Sequence, residues 1–457
     1  MLKRLYSLLP AFIKGDTQRA PSAGNTQIKR IIPRDEHNIS RANISRGAVS
    51  AMKRLNDEGF EAYLVGGGVR DLLLDGHPKD FDLATNATPE QVRQIFRGAR
   101  IIGRRFKIVH VRMGRELLEV TTFRDNHTES ESERDSHQAD SGMLLRDNVF
   151  GTLETDSARR DFTINALYYT SKDFTVVDYE GGLEDLKKRQ IRMIGDPLTR
   201  YKEDPVRMLR AVRFAAKLGF KIEANTAAPI APNAELMGQV SSSRLFDESL
   251  KLFMAGSATA TFTLLRDYGL LAYLFPQTEA LLQRGDPKAE KLIEHALVNT
   301  DKRIRNDQRV TPAFIFAALL WPVVKEKQEA LMASEKLTPL VALGQAASAV
   351  VGQQLAAIAI PKRFLIPMRE IWDLQLRLPN RAGKRAFVTF SHERFRAAYD
   401  FLLLRESAGE NFDGLGQWWT DFQVANEEGR EAMVKNMTGP KGRSRRRSPR
   451  KKPADPA

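Results

Sequence analysis

No cysteine occurs anywhere in this chain of 457 residues, which excludes a disulfide framework, a thiolate zinc site and a cysteine nucleophile. It permits a reducing compartment, with the cytoplasm as the default. No apolar run is long enough to span a bilayer: the longest, Ala313 to Val324, is short and contains Pro322, so it is expected to be a buried helix. The seven histidines are scattered, without the HxxxH or HD spacing of a metal-binding hydrolase. Glycines do cluster, at Gly66 to Gly68, but GxGxxG is absent and no GKS or GKT follows, so this is neither a Rossmann fingerprint nor a Walker loop. No internal repeat is present.

Acidic residues are in deficit. The formal charge is +14 and the sequence pI about 9.8, which points to a polyanionic partner, with nucleic acid the most economical choice. From Lys435 to Ala457, nine Lys or Arg face Asp455, a net +8. From Gly439 onward the mixture of Pro, Gly, Ser and basic residues cannot bury a core and is expected to be disordered. At the other end, MLKRLYSLLPAFIKGD starts basic and carries a short apolar stretch broken by Pro10 and closed by Lys14 and Asp16. It reads as a flexible leader, with a cleaved signal or a weak membrane-surface helix as lesser readings.

The chemistry concentrates in LVGGGVRDLLLDGHPKDFDL, Leu64 to Leu83. Tyr63, Leu64 and Val65 read as a strand, and the glycines let backbone amides approach a phosphate. A helix from Arg70 and Asp71 through Leu74, a turn at Asp75 to Pro78 and a second strand at Asp80 to Leu83 are expected. Side chains two apart on a strand share a face, so Asp80 and Asp82 project together while Phe81 and Leu83 point inward. That pair suits a divalent metal, and amides beside it suit a triphosphate.

Asn43 to Gly59 reads as an amphipathic helix carrying Ala48, Met52 and Leu55 on one side. Arg105 to Met113 and Glu116 to Phe123 read as an antiparallel strand pair beside the DxD strand, and Glu119 there is a plausible third carboxylate. Asn126 to Asp147 is polar, without an apolar period, and is expected to be a mobile loop.

In Arg159 to Leu167, Arg160 suits a phosphate in fork geometry, and Asp161 and Asn165 are expected to share a helix face where a ribose hydroxyl or a metal-bound water is met. In Glu203 to Arg213 a helix starts at Asp204-Pro205. Arg207, Arg210 and Arg213 form a basic stripe opposite Val206, Leu209 and Val212. Asp204 would accept from a base amino group and Arg207 donate to a ring nitrogen or carbonyl. Lys362-Arg363-Phe364, Arg381 to Phe387 and Arg394-Phe395-Arg396 offer cations with aromatics for RNA, although solvated helix faces explain each one as well.

The ordered motifs GGGVRDLLL, PKDFDLAT, EVTTFR, RRDFTINALYY and EDPVRMLRAVRFAAKLGF together resemble the class II nucleotidyltransferases, which comprise bacterial poly(A) polymerases and CCA-adding enzymes. The resemblance spans about residues 45 to 275. GGGVRD rather than GGAVRD, IIGRRFKIVHV, RDNVFGT and the basic extension are closest to bacterial poly(A) polymerase. It implies an α+β fold: a mixed nucleotidyltransferase head with a small β-sheet over 41–170 and an all-α neck (171–275) and body (276–435). A leader (1–40) and a basic tail (436–457) flank them.

The resemblance implies two Mg²⁺ on Asp80 and Asp82, with Glu119 as third carboxylate and Asp161 counted as catalytic. Gly66, Gly67, Arg70 and Arg160 would contact triphosphate, with Asn165 in the ribose motif. Asp204 and Arg207 would read the base, with Arg210 and Arg213 nearby. The implied reaction joins AMP from ATP to RNA 3′ ends, of mRNA and small RNAs, in support of RNA turnover and with RNA-decay proteins as partners. CCA addition and a non-catalytic RNA-binding scaffold are the alternatives.

Overall fold

The computed structural model of the chain describes residues 29–103, 107–125, 136–138, 144–147 and 149–437. The expected tail beyond 437 and most of the expected leader lie outside the described residues. Among the described residues, strands occupy β1 (Arg30–Ile32), β2 (Ala62–Val65), β3 (Asp82–Thr85), β4 (Arg100–Ile102), β5 (Ile108–Met113), β6 (Glu116–Thr122), β7 (Ser136–Gln138), β8 (Leu144–Asp147), β9 (Leu167–Tyr169) and β10 (Val176–Asp178), with a short parallel pair, Gln190–Ile191 and Lys221–Ile222, apart from them. Eight of them form one sheet in the order β1-β10-β9-β2-β3-β6-β5-β4. β3 and β6 pair in parallel, and the other pairings of this sheet are antiparallel.

Period-two alternation gives the sheet two unlike faces. Leu64, Leu83, Val109, Val111, Leu118 and Val120 are buried on one face, covered by α1 (Arg46–Asp57) and α3 (Pro89–Ile95). α1 buries Ala48, Met52 and Leu55, and Ser45 caps it by accepting from the Ala48 N–H at 3.0 Å. Each fully buried Met or Leu there contributes about 1.5–3 kcal/mol. α2 (Gly67–Leu73) runs between β2 and the turn before β3. On the opposite face Val65, Ala84, Tyr168 and Val177 pack under Leu153 of α4 (Leu153–Arg159), while Glu119, Arg112 and Arg100 stay exposed.

Three helices lead away from the head: α5 (Gly182–Lys188), α6 (Pro197–Glu203) and α7 (Val206–Leu218). Gly219 ends α7 with φ +64. Longer helices follow, among them Ser242–Phe253, Pro287–Arg305, Pro312–Glu335, Pro339–Ala357, Lys362–Arg377 and Phe395–Ser407. The Ala313 to Val324 run lies in Pro312–Glu335 and is buried, Pro322 included, apart from a half-buried Phe314. Pro339–Ala357 is long and apolar enough to cross a membrane by length and composition, and it packs against Pro312–Glu335.

Several expectations shift. α2 starts at Gly67, so the glycines enter its first turn instead of forming a loop ahead of Arg70. Asp80 lies just outside β3, though Phe81 and Leu83 are buried as expected. Head-sheet strands come from the expected leader (β1) and from beyond residue 170 (β10). The 126–147 segment, expected as a loop, contains β7 and β8 paired antiparallel, and its other residues lie outside the described set. Residues 159–167 are not one helix: Arg160 is extended, a 3-10 turn covers Thr163–Asn165 and β9 follows. The Asp161 carboxylate accepts the next N–H, that of Phe162, at 2.8 Å, the local bond by which Asp competes with helix. Among the basic groups with aromatics, Phe395 is buried against Trp419 and Tyr399 instead of being open to a base.

Candidate active site

Asp82 and Glu119 are partners in the parallel β3–β6 ladder, so both carboxylates leave the same face of neighbouring strands. Asp82 is pushed up to about 6, first by loss of water around it, then by the Glu119 charge and by Asp80, with Arg160 opposing. Among the described residues no three Asp, Glu or His side chains gather as a ready-made metal cluster, so the expected trio of Asp80, Asp82 and Glu119 is not drawn together at ligand distances. The donors still fit a hard divalent cation. They are carboxylate oxygens on an open face, and a bound cation would relieve the repulsion that lifts Asp82.

On the β2 side of these carboxylates, Gly66 adopts φ +71, ψ −136, a conformation essentially reserved for glycine. A methyl group placed there would come 3.8 Å from Arg160 Nη1. Arg160 is clamped: its Nε donates to Tyr168 Oη at 2.8 Å and to Asp156 at 3.2 Å, and Tyr168 donates to Asp156 at 2.7 Å. The clamp holds Arg160 beside Gly66. Asp156 and Tyr168, which hold it, were not singled out from the sequence.

A second chain of bonds ties α7 to α2 through the turn before β9. Arg210 donates to Asp161 Oδ2 at 2.6 Å, Asn165 donates to Asp161 Oδ1 at 3.1 Å, and Arg70 donates to Asn165 Oδ1 at 2.7 Å. Arg70 also donates to Asp71, at 2.6 Å from Nη2. Burial alone would lift Asp161, but the Arg210 charge and the hydrogen bonds from Asn165, Arg210 and Phe162 hold it at about 2. The guanidiniums of Arg70, Arg210 and Arg213 all lie within 5.4 Å of the Phe214 ring centroid. Asp161 and Asn165 thus do meet, through a turn and not a helix face.

Asp204, at the junction of α6 and α7, receives a fork from Arg244, each arm at 2.7 Å. Arg207 donates to Glu203 and to the Arg200 carbonyl, both at 2.8 Å. Arg200 in turn donates to Glu203 and to the carbonyls of Arg159 and Arg160. Arg159 is pushed down to about 9 by burial and by crowding from Arg124, Arg200 and Arg207. A guanidinium crowd of this kind favours a multiply charged anion between its members. Glu203 and Arg200 adjoin the motif residues in sequence, whereas Arg244 is forty positions from Asp204 and carried no local signal.

A mixed sheet with paired carboxylates on its open face, flanked by crowded arginines and followed by helices, has the parts a nucleotidyltransferase needs. Family models match residues 62–192 (Poly A polymerase head domain), 219–282 (Probable RNA and SrmB-binding site of polymerase A) and 335–452 (Polymerase A arginine-rich C-terminus). The chain belongs to the bacterial poly(A) polymerase family and is a polynucleotide adenylyltransferase. Poly(A) polymerase I of Escherichia coli O6:H1 is 50% identical over 427 residues, 92% of each chain. Poly(A) polymerase I of Salmonella typhimurium is 50% identical over 457 residues, 99% of this chain and 98% of its own. A solved Thermotoga maritima CCA-adding enzyme complexed with tRNA superposes with TM-score 0.53 at 17% identity, covering 89% of this chain and 99% of its own, and shows the fold alone.

Proposed function

We propose that this chain adds AMP from ATP to RNA 3′ ends, with the residues of the open sheet face in the following roles. The observation that carries the assignment is Asp82 beside Glu119 on adjacent parallel strands, with Asp82 raised by burial and by the Glu119 charge. Asp80, Asp82 and Glu119 would hold Mg²⁺, two ions in the expected form, which when bound lowers the pKa of an attacking hydroxyl and stabilises the leaving oxygen. The RNA 3′-hydroxyl attacks the α-phosphate of ATP and pyrophosphate leaves.

The rest is work for the chain's own side chains. Gly66 and Gly67 let the backbone approach the triphosphate, and Arg160, fixed by Tyr168 and Asp156, faces it. Asp204 and Arg207 read adenine, whose N6 donates and N1 accepts. A carboxylate has about four lone-pair sites and a guanidinium five N–H donors, so the internal bonds each makes leave capacity for the base. Both oxygens of Asp161 are engaged, so in this reading it positions Asn165, Arg210 and, through Asn165, Arg70. Arg213 adds charge beside them.

Cytosine presents a similar pair of groups, so Asp204 and Arg207 alone do not separate poly(A) from CCA addition. Near-half identity along almost the whole length to poly(A) polymerases favours the first. The RNA-binding description matched at 219–282 supports RNA as substrate and leaves room for a protein partner in RNA turnover. The absence of cysteine fits a cytoplasmic setting, and the basic, partly apolar leader is compatible with a weak membrane-surface contact. Extension of a generic RNA with each NTP alone, and of a tRNA lacking its 3′ end with all four NTPs, tests the reading: A-only tails support it, and addition that stops after C, C, A on the tRNA overturns it.

A further inference from the structure

The register of the head sheet extends the line of Asp82 and Glu119 to side chains that the nucleotide site does not use. Asp82 pairs with Glu119, Glu119 with His110 and His110 with Arg100, across β3, β6, β5 and β4. Paired residues in register share a face. The carboxylates therefore continue into His110 and Arg100 on the open side, away from Gly66 and Arg160, which lie towards β2 and β9.

This line ends in a cavity of about 430 Å³ lined by Arg97, Arg100, His110, Arg112 and Leu117 with two glycines. Among the described residues no acidic side chain lines it. Arg97, Arg100 and Arg112 are exposed, and among the described residues they make no ion pair or side-chain hydrogen bond. That contrasts with Arg70, Arg160, Arg207 and Arg210, all of which are tied to carboxylates. His110 Nε2 is buried without a hydrogen-bond partner, 3.5 Å from Glu119 Oε1. Three guanidiniums without a carboxylate partner among the described residues, in one concavity with His110, form a site for a polyanion that also offers hydroxyls.

We infer that this cavity holds the phosphodiester backbone of single-stranded RNA just upstream of its reacting 3′ end. Arg97, Arg100 and Arg112 bind phosphates, and His110 meets a ribose hydroxyl. Three strand spacings separate Asp82 from Arg100, about 14 Å, a span of a few nucleotides. With ATP entering from the glycine side and RNA from the arginine side, the carboxylates lie between the two reacting ends. The inference rests on the polymerase reading and adds the path of its second substrate.

The test compares the full-length protein with the triple variant Arg97→Ala, Arg100→Ala, Arg112→Ala. Binding of labelled oligoadenylate is followed against salt, and the KM values for RNA and for ATP are measured separately. Each lost phosphate contact flattens the salt slope on single strands by about 0.7, so the triple variant should lose about 2 in slope and raise the RNA KM about tenfold. The ATP KM should move less than about twofold, on the same premise that the lost contacts belong to RNA phosphates. The matching Lys variant should recover most of the slope, and Lys53→Ala, on the opposite face, should change nothing. An unchanged slope and RNA KM in the triple variant, or an effect on the ATP KM alone, overturns the inference. Because binding is read without turnover, a wild-type protein that binds RNA but adds no AMP would defeat the polymerase reading while the slopes still decide this one.

Discussion

Arg244 grips Asp204 through both arms of its guanidinium, Nη1 to Oδ1 and Nη2 to Oδ2, each at 2.7 Å. The carboxylate that would read adenine is thus aimed by a residue on helix Ser242–Phe253, outside the motif that contains it. A planar fork fixes both the position and the rotation of a carboxylate, which a single point charge does not.

Replacing Arg244 by Gln should therefore raise the KM for ATP about tenfold, the value of one charge-assisted bond. Discrimination of ATP over CTP should narrow, with a smaller change in kcat. Arg244→Lys should restore part of the affinity and little of the selectivity. Steady-state kinetics with each nucleotide checks this, and an unchanged ATP KM in Arg244→Gln would remove the aiming role.

Gly66 and Gly68 should respond differently to the same methyl group. Gly66→Ala forces alanine into φ +71, ψ −136, at a cost of about 1–3 kcal/mol, so its melting temperature should fall and its ATP KM rise. At Gly68 a methyl meets Asp80 O and Phe81 Cδ1 at 3.6 Å, ordinary contact distance, and the backbone is helical. Gly68→Ala should stay within about 1 kcal/mol of wild type. Equal losses at both positions would contradict the backbone argument.

Asp161 carries a pH signature. In the folded chain the Arg210 charge and three hydrogen bonds hold its carboxyl at about 2, below the ordinary aspartate value of 3.8. The stability it contributes is therefore present above 3.8 and is lost as pH falls through 2. A tenfold gain in acidity on folding corresponds to about 1.36 kcal/mol, which makes the contribution about 2 kcal/mol at neutral pH. Asp161→Asn should be less stable than wild type near neutral pH, and the gap should close between about pH 4 and about pH 2. Denaturant melts across that range measure it. A gap that stays constant with pH would show that the carboxylate charge is not what holds Arg210.

Much of this site was legible in the sequence because its signals are local. Alternation in Glu116 to Thr122 placed Glu119 on the open face, and DxD spacing placed Asp82 beside it once β3 and β6 paired. Arg207, Arg210 and Arg213 kept their stripe because helical period fixes it. What was missed depends on contacts distant in sequence or on competition between local structures. Arg244 reaches Asp204 across forty residues. Asp161 leaves the helical register because its side chain bonds its own neighbour's N–H. The leader supplied β1 because pairing with β10 buries Ile32, a gain that three residues of sequence do not advertise.

The central claim is that the Asp82–Glu119 face drives ATP-specific extension of RNA. The most direct measurement incubates wild type and Asp82→Ala with a generic single-stranded RNA and each NTP in turn. Removal of a carboxylate that supports several kcal/mol of transition-state stabilisation should lower the rate on the order of a thousandfold. Long A-only tails from the wild type, and that loss in Asp82→Ala, are the predicted result. Tails of another composition, or an Asp82→Ala rate equal to wild type, would contradict it.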